Sequence, residues 1–348
     1  MKIDVSGKRS TNVRTLLCVL SGCAVSSISF ADDVAAGKSV FTFENDIFTS
    51  SDDNYTNGVA FGWVTGDAAA YDPVSAVSRW AHFWSFMPGF AAQDGVNYLS
   101  WSLSQEMHTP EEITRKIPDP ADQPYSGFLL VDFNIYSMHE RWGQVWNLRA
   151  GVVGPLSKSA ETQRAIHKAI GDDLPAGCDY QIKDEAVFNI GYTAGYKLFE
   201  STFDSHTSWR FTPVATAGLG TYSTDVGTGF VAELGWNMPQ AVSMCGVVHG
   251  VREACAAGLE IQHRWSITGF IAAGYSWVYH YLPLDGPVFR NGPSVGSDVD
   301  SLVEFASVGV SVNKGRFSLI MALSQGATPA DRLDTTLDYG TLTFVYQH

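Results

Sequence analysis

Beyond its first thirty or so residues the chain contains no apolar run near the roughly 20 residues a membrane-spanning helix requires, so it does not cross a bilayer as helices. Charge is scarce. Asp, Glu, Lys and Arg make up 17% of the 348 residues, and Lys and Arg number 22 against 36 Asp and Glu, for a net charge of −14. A surface that grips a phosphate backbone needs clustered Lys and Arg, which argues against nucleic acid as a partner. Cysteines are few, five in all, and none is spaced for zinc. Gly (33), Tyr (14) and Trp (10) are plentiful by contrast, and this mixture of small and aromatic side chains suits strands better than helices.

At the N-terminus Lys2, Lys8, Arg9 and Arg14 precede an apolar run from Leu16 to Ile28, which gives way to Ser29-Phe30-Ala31 and then Asp32-Asp33. This order is that of a secretory signal, and cleavage is expected after Ala31, leaving residues 32–348 as the exported domain. A competing reading takes Leu20-Ser21-Gly22-Cys23 as a lipoprotein box, at the cost of a very short apolar core. Losing the four basic residues and Asp4, a net charge of +3, takes the exported chain to −17. Cys18 and Cys23 leave with the signal. In an oxidising compartment Cys245 and Cys255 can bridge across a short loop, and Cys178 is then left over as an inert thiol.

A transmembrane β-strand needs only about 9–11 residues, apolar at every second position. Val59, Phe61 and Trp63 alternate with Gly58, Ala60 and Gly62; Leu129, Val131, Phe133 and Ile135 alternate with Asp132 and Asn134; Leu342, Phe344 and Tyr346 follow the same rule. Segments of this kind occupy 37–48, 54–65, 97–108, 126–140, 142–153 and 186–202, then 205–222, 227–238, 265–283, 298–313, 315–325 and 336–347. Twelve is an even count. It predicts a closed all-β fold, a twelve-stranded antiparallel transmembrane β-barrel with both termini on the periplasmic side and Trp and Tyr girdles near strand ends. The connections at 49–53, 109–125 and 154–185 then face outward.

Two periplasmic connections are too long for simple turns. Residues 67–96 carry Val74, Val77, Trp80, Ala81 and Trp84 at helical spacing after Pro73, which reads either as a helix lying on the inner face of the membrane or as one plugging the barrel mouth. Residues 239–264 carry the Cys245 and Cys255 pair and are expected to lie outside the barrel wall.

Oxygen ligands are dense around the first hairpin, in Glu44-Asn45-Asp46 and Asp52-Asp53-Asn54-Tyr55-Thr56-Asn57-Gly58. Carboxylate and carboxamide oxygens are what calcium takes, although a polar hairpin cap would look the same. In the outward connection 154–185, Ser159 to Gly171 reads as a short helix with Ser159 as cap, Glu161 in the first turn and Gly171 as stop. Gln163 and His167 share one face of it, as an exposed pair in which an imidazole titrating near neutrality could act as a base.

Glu44-Asn45-Asp46, Tyr55-Thr56-Asn57-Gly58, Gln105, Pro124-Tyr125-Ser126-Gly127, Gly154-Pro155, Gln163 with His167, Pro175 to Gln181 with Glu185, and Leu284-Asp285-Gly286 together resemble the LpxR-type lipid A 3'-O-deacylases, from about Lys38 to His348. The resemblance implies a bacterial outer-membrane enzyme that hydrolyses, with Ca2+, the ester holding the 3'-linked acyloxyacyl chain of lipid A, among outer-membrane lipids and with lipopolysaccharide as substrate. It makes His167 the general base and Gln163 its support. It places Asn45, Asp46 and Thr56 in the active-site shell, with Asn45 and Asp46 on the metal, and Arg115 and Lys116 where lipid A phosphates are met. The chain departs from the family at Cys178, where many relatives have Trp, and in ending Tyr346-Gln347-His348 instead of on an aromatic residue. A phospholipase-like barrel and a non-enzymatic channel or scaffold barrel are the other readings; the small residues Gly58, Ala60 and Gly62 facing inward favour a filled interior over a wide pore.

Overall fold

The computed structural model describes residues 37–49, 54–70, 73–90, 95–119, 122–170, 174–246, 254–259, 262–290, 301–327 and 336–348. The expected signal, residues 1–31, lies outside them. Twelve antiparallel strands form one closed sheet: β1 (Lys38–Asn45), β2 (Asn54–Val64), β3 (Val96–Thr109), β4 (Ser126–Met138), β5 (Trp142–Val153), β6 (Glu185–Tyr196), β7 (Thr207–Gly220), β8 (Ser223–Trp236), β9 (Gln262–Tyr281), β10 (Ser301–Gly315), β11 (Phe317–Ala327) and β12 (Thr336–Gln347). Each pairs with its neighbours in sequence, and the ring closes where β1 meets β12, from Lys38 opposite Gln347 to Asn45 opposite Gly340.

The sequence places these strands to within a few residues. β1 is shorter than expected because Asp46–Phe48 turns into a single 3-10 turn. β6 pairs with β5 through Tyr196 and reappears as Phe199–Thr202, which pairs with β7 alone. The break falls where β5 begins, at Trp142; past that point the strand has lost one partner and projects from the barrel.

Alternation sorts the two faces of the wall. On β3, Ser100, Ser102, Ser104 and Glu106 are buried toward the lumen while Trp101 and Leu103 are about half exposed on the outside. Among the described residues no helix is long and apolar enough to span a membrane. The lumen is not empty. Toward the outer end, Arg149 donates from Nε to Asp132 (2.8 Å) and lies 3.9 Å from Glu106, whose Oε2 accepts from the Tyr222 hydroxyl (2.7 Å).

At the periplasmic end the segment between β8 and β9 folds into the barrel, not outside it as its sequence position implied. Cys245, Ala256 and Leu259 pack with the inward residues Val40, Val64, Val214, Val231, Phe270 and Val345, and Met244 packs with Tyr136 and Val145. Arg210 holds the segment by donating from Nη1 to the carbonyls of Pro239, Gln240 and Ala241 and from Nε to Glu233; Lys38 Nζ donates to the Ala256 carbonyl. The physical reason is area: Val242, Met244 and Leu259 are apolar, and the small inward side chains leave them room to be buried.

Cys245 and Cys255 are disulfide-bonded within this plug, and Cys178 is a buried free thiol. Because the bridge staples a segment that fills the lumen, its loss is expected to weaken the whole barrel. Chain entropy for a loop this short corresponds to about 3 kcal/mol. Replacing Cys245 and Cys255 with Ser should therefore lower the urea midpoint at which the heat-modifiable form is lost. An unchanged midpoint would show that Arg210 and apolar packing hold the plug unaided.

Candidate active site

Helix α2 (Ser159–Ile170) follows β5 on the outward side. Its buried residues are Ser159, Gln163 and His167, spaced i, i+4, i+8, whereas Glu161, Arg164 and Lys168 are exposed. The face turned inward is thus polar, the reverse of an ordinary amphipathic helix. His167 is only 5% exposed, against the exposed position expected from its lone place in a loop. The sequence could not show this, because the surface that covers it comes from strands far away in the chain.

That surface is the outside of the wall. Along β1 the residues Lys38, Val40, Thr42 and Glu44 are buried toward the lumen, and Phe41, Phe43 and Asn45 lie on the opposite face. Phe41 meets Phe61 and Phe344, which are about half exposed on the lipid-facing side. Asn45 pairs with Asn57, Asn57 with Met107, and Met107 with Gly127, one rung across β1 to β4 at the outer rim. At a height where lipid-facing positions would otherwise be apolar, two carboxamides stand side by side.

Two contacts seat the start of α2 on the wall beside this rung: Gln105 Nε2 donates to the Ser157 carbonyl (2.6 Å) and Ser159 Oγ donates to the Glu106 carbonyl (3.3 Å), while Ser157 Oγ donates to the Gly154 carbonyl (2.6 Å) within the connection itself. Gly127 is required here: a Cβ on it would sit 2.4 Å from the Ser159 Cβ. Gly154 has φ of +104° and backs directly onto the backbone of residues 182–184, so glycine is needed there as well. A small cavity between helix and wall is lined by Met107, His108, Tyr125, Ser126, Gln163 and Gln181, among others.

Neither amide atom of Asn57, nor Nε2 of Gln163, has a hydrogen-bond partner among the described residues, although Asn57 is 2% exposed and Gln163 3%. Buried amides are normally satisfied, which makes these two carboxamides candidate contacts for a bound group. Asp46 follows Asn45 and opens the 3-10 turn; its carbonyl accepts from the Thr49 amide (2.9 Å) and hydroxyl (2.7 Å), and its side chain is buried. Thr56 is the extra residue of a bulge in β2, where Tyr55 pairs with His108 and Asn57 with Met107. Its side chain lies outside the described residues, as do Asp52 and Asp53.

The basic pair lies in the neighbouring outer loop. Arg115 and Lys116 are exposed, and Arg115 pairs with Asp119 at 3.2 Å. The Ile113 carbonyl accepts both the Tyr125 hydroxyl (3.0 Å) and the Ala176 amide (2.9 Å), which ties this loop to the segment after α2. Burial pushes the Tyr125 hydroxyl and the Cys178 thiol up from their ordinary values, which favours the protonated form of each.

Asn45 and Asp46 offer the oxygen donors that a hard cation takes, with the Asn57 carboxamide one strand away. Among the described residues no group of three or more His, Cys, Asp or Glu side chains is gathered for a metal. A cation here would therefore draw its remaining oxygens from amides, hydroxyls, carbonyls and water, or from 50–53 and 171–173, which lie outside the described residues.

A closed barrel that crosses the membrane by alternating strands, with a polar cleft between a helix and the lipid-facing side of its outer rim, is a bacterial outer-membrane protein. The model of the family described as "Outer membrane protein LpxR" matches residues 16–348, and the chain belongs to that family. LpxR from Salmonella typhimurium has the same fold, with a TM-score of 0.70 at 16% identity, covering 89% of this chain and 99% of that one. The translocator domain of the autotransporter NalP from Neisseria meningitidis, at TM-score 0.39 and 7% identity, covers 96% of this chain and 94% of that one. The β domain of the Bordetella autotransporter Brka, at 0.39 and 9%, covers 91% and 99%. Both are too distant to bear on the site. No curated protein matches the sequence.

Proposed function

We propose that the chain is a lipid A 3'-O-deacylase, a carboxylic ester hydrolase that releases the 3'-linked acyloxyacyl chain of lipopolysaccharide in the outer leaflet. The observation that carries this reading is the buried polar face Ser159–Gln163–His167, whose Ser159 and Gln163 line a cavity with Met107 and Gly127 on the rung that also carries Asn45 and Asn57. A catalytic group there meets an amphiphile without drawing it into the filled lumen. At about 1.5 Å per residue, α2 advances about 12 Å from Ser159 to His167, enough to carry the imidazole across two strand spacings of about 4.8 Å.

In this reading His167 takes a proton from a water aimed at the ester carbonyl. The new bond joins that oxygen to the acyl carbon, the acyl–oxygen bond breaks, and His167 returns the proton to the departing 3'-oxygen. Gln163, one turn away on the same face, fixes the imidazole or the water. Asn45 and Thr56 donate hydrogen bonds to the reacting ester, Asp46 and Asn45 hold Ca2+, and Arg115 and Lys116 meet the phosphates. Bound there, calcium would supply polarisation of the ester carbonyl. The exported domain in this scheme is residues 32–348, with 1–31 removed as a signal.

Mass spectrometry of lipid A from cells with and without the protein tests the reading; identical acylation patterns in cells producing the folded barrel would refute it. The seating of α2 supplies a second test. Gly127→Ala forces Ser159 off the wall and is expected to cut deacylation by about tenfold or more with the barrel intact, since displacements near 1 Å at a reacting centre reach about a hundredfold. Full activity in that variant would show that the helix need not sit on this rung.

A further inference from the structure

The connection between β2 and β3 contains helix α1 (Ala76–Phe83), capped by Ser75, whose hydroxyl accepts from the Ser78 amide, and continued by a 3-10 turn through Phe86. It does not plug the barrel mouth. Val77, Ala81 and Trp84, spaced i, i+4, i+7, pack with Met87 and Phe90 on Leu99, Phe133, Ile135 and Trp146. Those four belong to the outside of the wall, out of phase with the lumen-facing Ser100, Asp132 and Asn134. The Gln144 side chain fastens the end of the segment by donating to the Pro88 carbonyl.

Two further strips flank the packed one. Ala76, Trp80 and Phe83 are again i, i+4, i+7, and Trp80 and Phe83 are 53% and 60% exposed. Ser78, His82 and Ser85 form the strip on the other flank, and the exposed Arg79 stands between the two. The apolar sector of the helix is therefore wider than the wall can cover. The uncovered part continues the outer belt at the periplasmic ends of the strands, where Trp101, Trp236 and Trp265 are about half exposed and Trp101 stacks on Trp63.

We propose that α1 lies half-embedded in the periplasmic leaflet and binds a glycerophospholipid there, with an acyl chain along Ala76, Trp80 and Phe83 and the headgroup phosphate on Arg79. The leaflet follows from strand direction: α1 sits at the end of the barrel that carries the termini, opposite α2. Continuity with the lipid-facing belt names the occupant, because bilayer already covers the wall on either side. A second copy of the chain would need far more area than one three-residue strip provides, of the order of 800 Å² per partner. An arginine at the edge of an apolar strip reaches the phosphate level while its stem stays on hydrocarbon.

The test uses the full-length protein in nanodiscs of phosphatidylethanolamine and phosphatidylglycerol brominated either near the headgroup or near the chain end. The signal of Trp80 is the difference between wild type and Trp80→Phe, with folding of both checked by heat-modifiability. Trp80 should be quenched more strongly by shallow than by deep bromines and shielded from iodide. Arg79→Glu should reduce the shallow quenching by about half, as repulsion from phosphate lifts the helix edge. Quenching of Trp80 by iodide but by neither bromolipid would overturn the proposal and place the strip in water. Protection from all three quenchers, with a cross-linked dimer through α1, would overturn it in favour of a second copy.

Discussion

Deacylation by a His167→Ala variant is expected to fall about a hundredfold or more, while the protein still runs as a folded, heat-modifiable barrel. Both halves of this expectation come from position. His167 sits on a helix outside the wall and contributes nothing to the strand ladder, so its removal leaves the barrel standing; if it is the group that takes the proton from water, hydrolysis has no substitute for it. Asp46→Ala should behave alike, since Asp46 follows the last paired residue of β1. The measurement is release of the acyloxyacyl chain from purified lipid A in detergent. Hydrolysis near wild-type rates in either variant would remove that residue from the mechanism. A barrel lost together with activity in Asp46→Ala would instead make that buried carboxylate a structural group of the outer rim.

The second large effect is chelation. Activity is expected to vanish when divalent cations are removed and to return with calcium. The argument is electrostatic. Asp46 is buried at the rim, Asp52 and Asp53 come soon after it in the sequence, and the whole chain carries −14, so a cation is expected to relieve repulsion among carboxylates gathered there. The donors at Asn45 and Asp46 are oxygens, which favours calcium over zinc. Zinc would be drawn to the His167 imidazole and should inhibit by occupying the base. Chelation followed by calcium, magnesium or zinc added back singly separates these outcomes. Full activity in the chelated sample would eliminate a metal-polarised carbonyl and leave oxyanion stabilisation to protein donors, Asn45 first among them.

Much of the architecture was legible in the order of residues. Period-two alternation, seen in Val59, Phe61 and Trp63 against Gly58, Ala60 and Gly62, locates the strands because a pleated wall between lipid and lumen imposes that period on every segment crossing it. The even count then sets the closure, and the motifs around Asn45, Gln105, Gly127 and His167 point to the family. The conditions at the site were less accessible. In the sequence Asn57 is one of many oxygen donors around the first hairpin and Gly127 one of several motif residues, neither with a role of its own. One matters as an orphaned buried carboxamide and the other as a missing Cβ, and both properties exist only once four strands stand side by side.

What the sequence by itself determined, then, is which residues form strands, which face of each strand meets lipid, and that 74–86 and 159–170 are amphipathic. Which side of the wall each connection occupies was decided by the tertiary structure alone. Residues 239–246 and 254–259 went inside, because small side chains on several strands leave a lumen that Val242, Met244 and Leu259 can fill. The helix at Ala76–Phe83 went outside, onto Leu99, Phe133, Ile135 and Trp146. The helix at Ser159–Ile170 also went outside, but with its polar face toward the wall, because the rung Asn45–Asn57–Met107–Gly127 places amides and a glycine where the lipid-facing surface is elsewhere apolar. A hydrophobic period states only that a helix has two unlike faces; the surface that accepts each face is assembled from strands tens to hundreds of residues apart, and so comes into being only when the barrel closes.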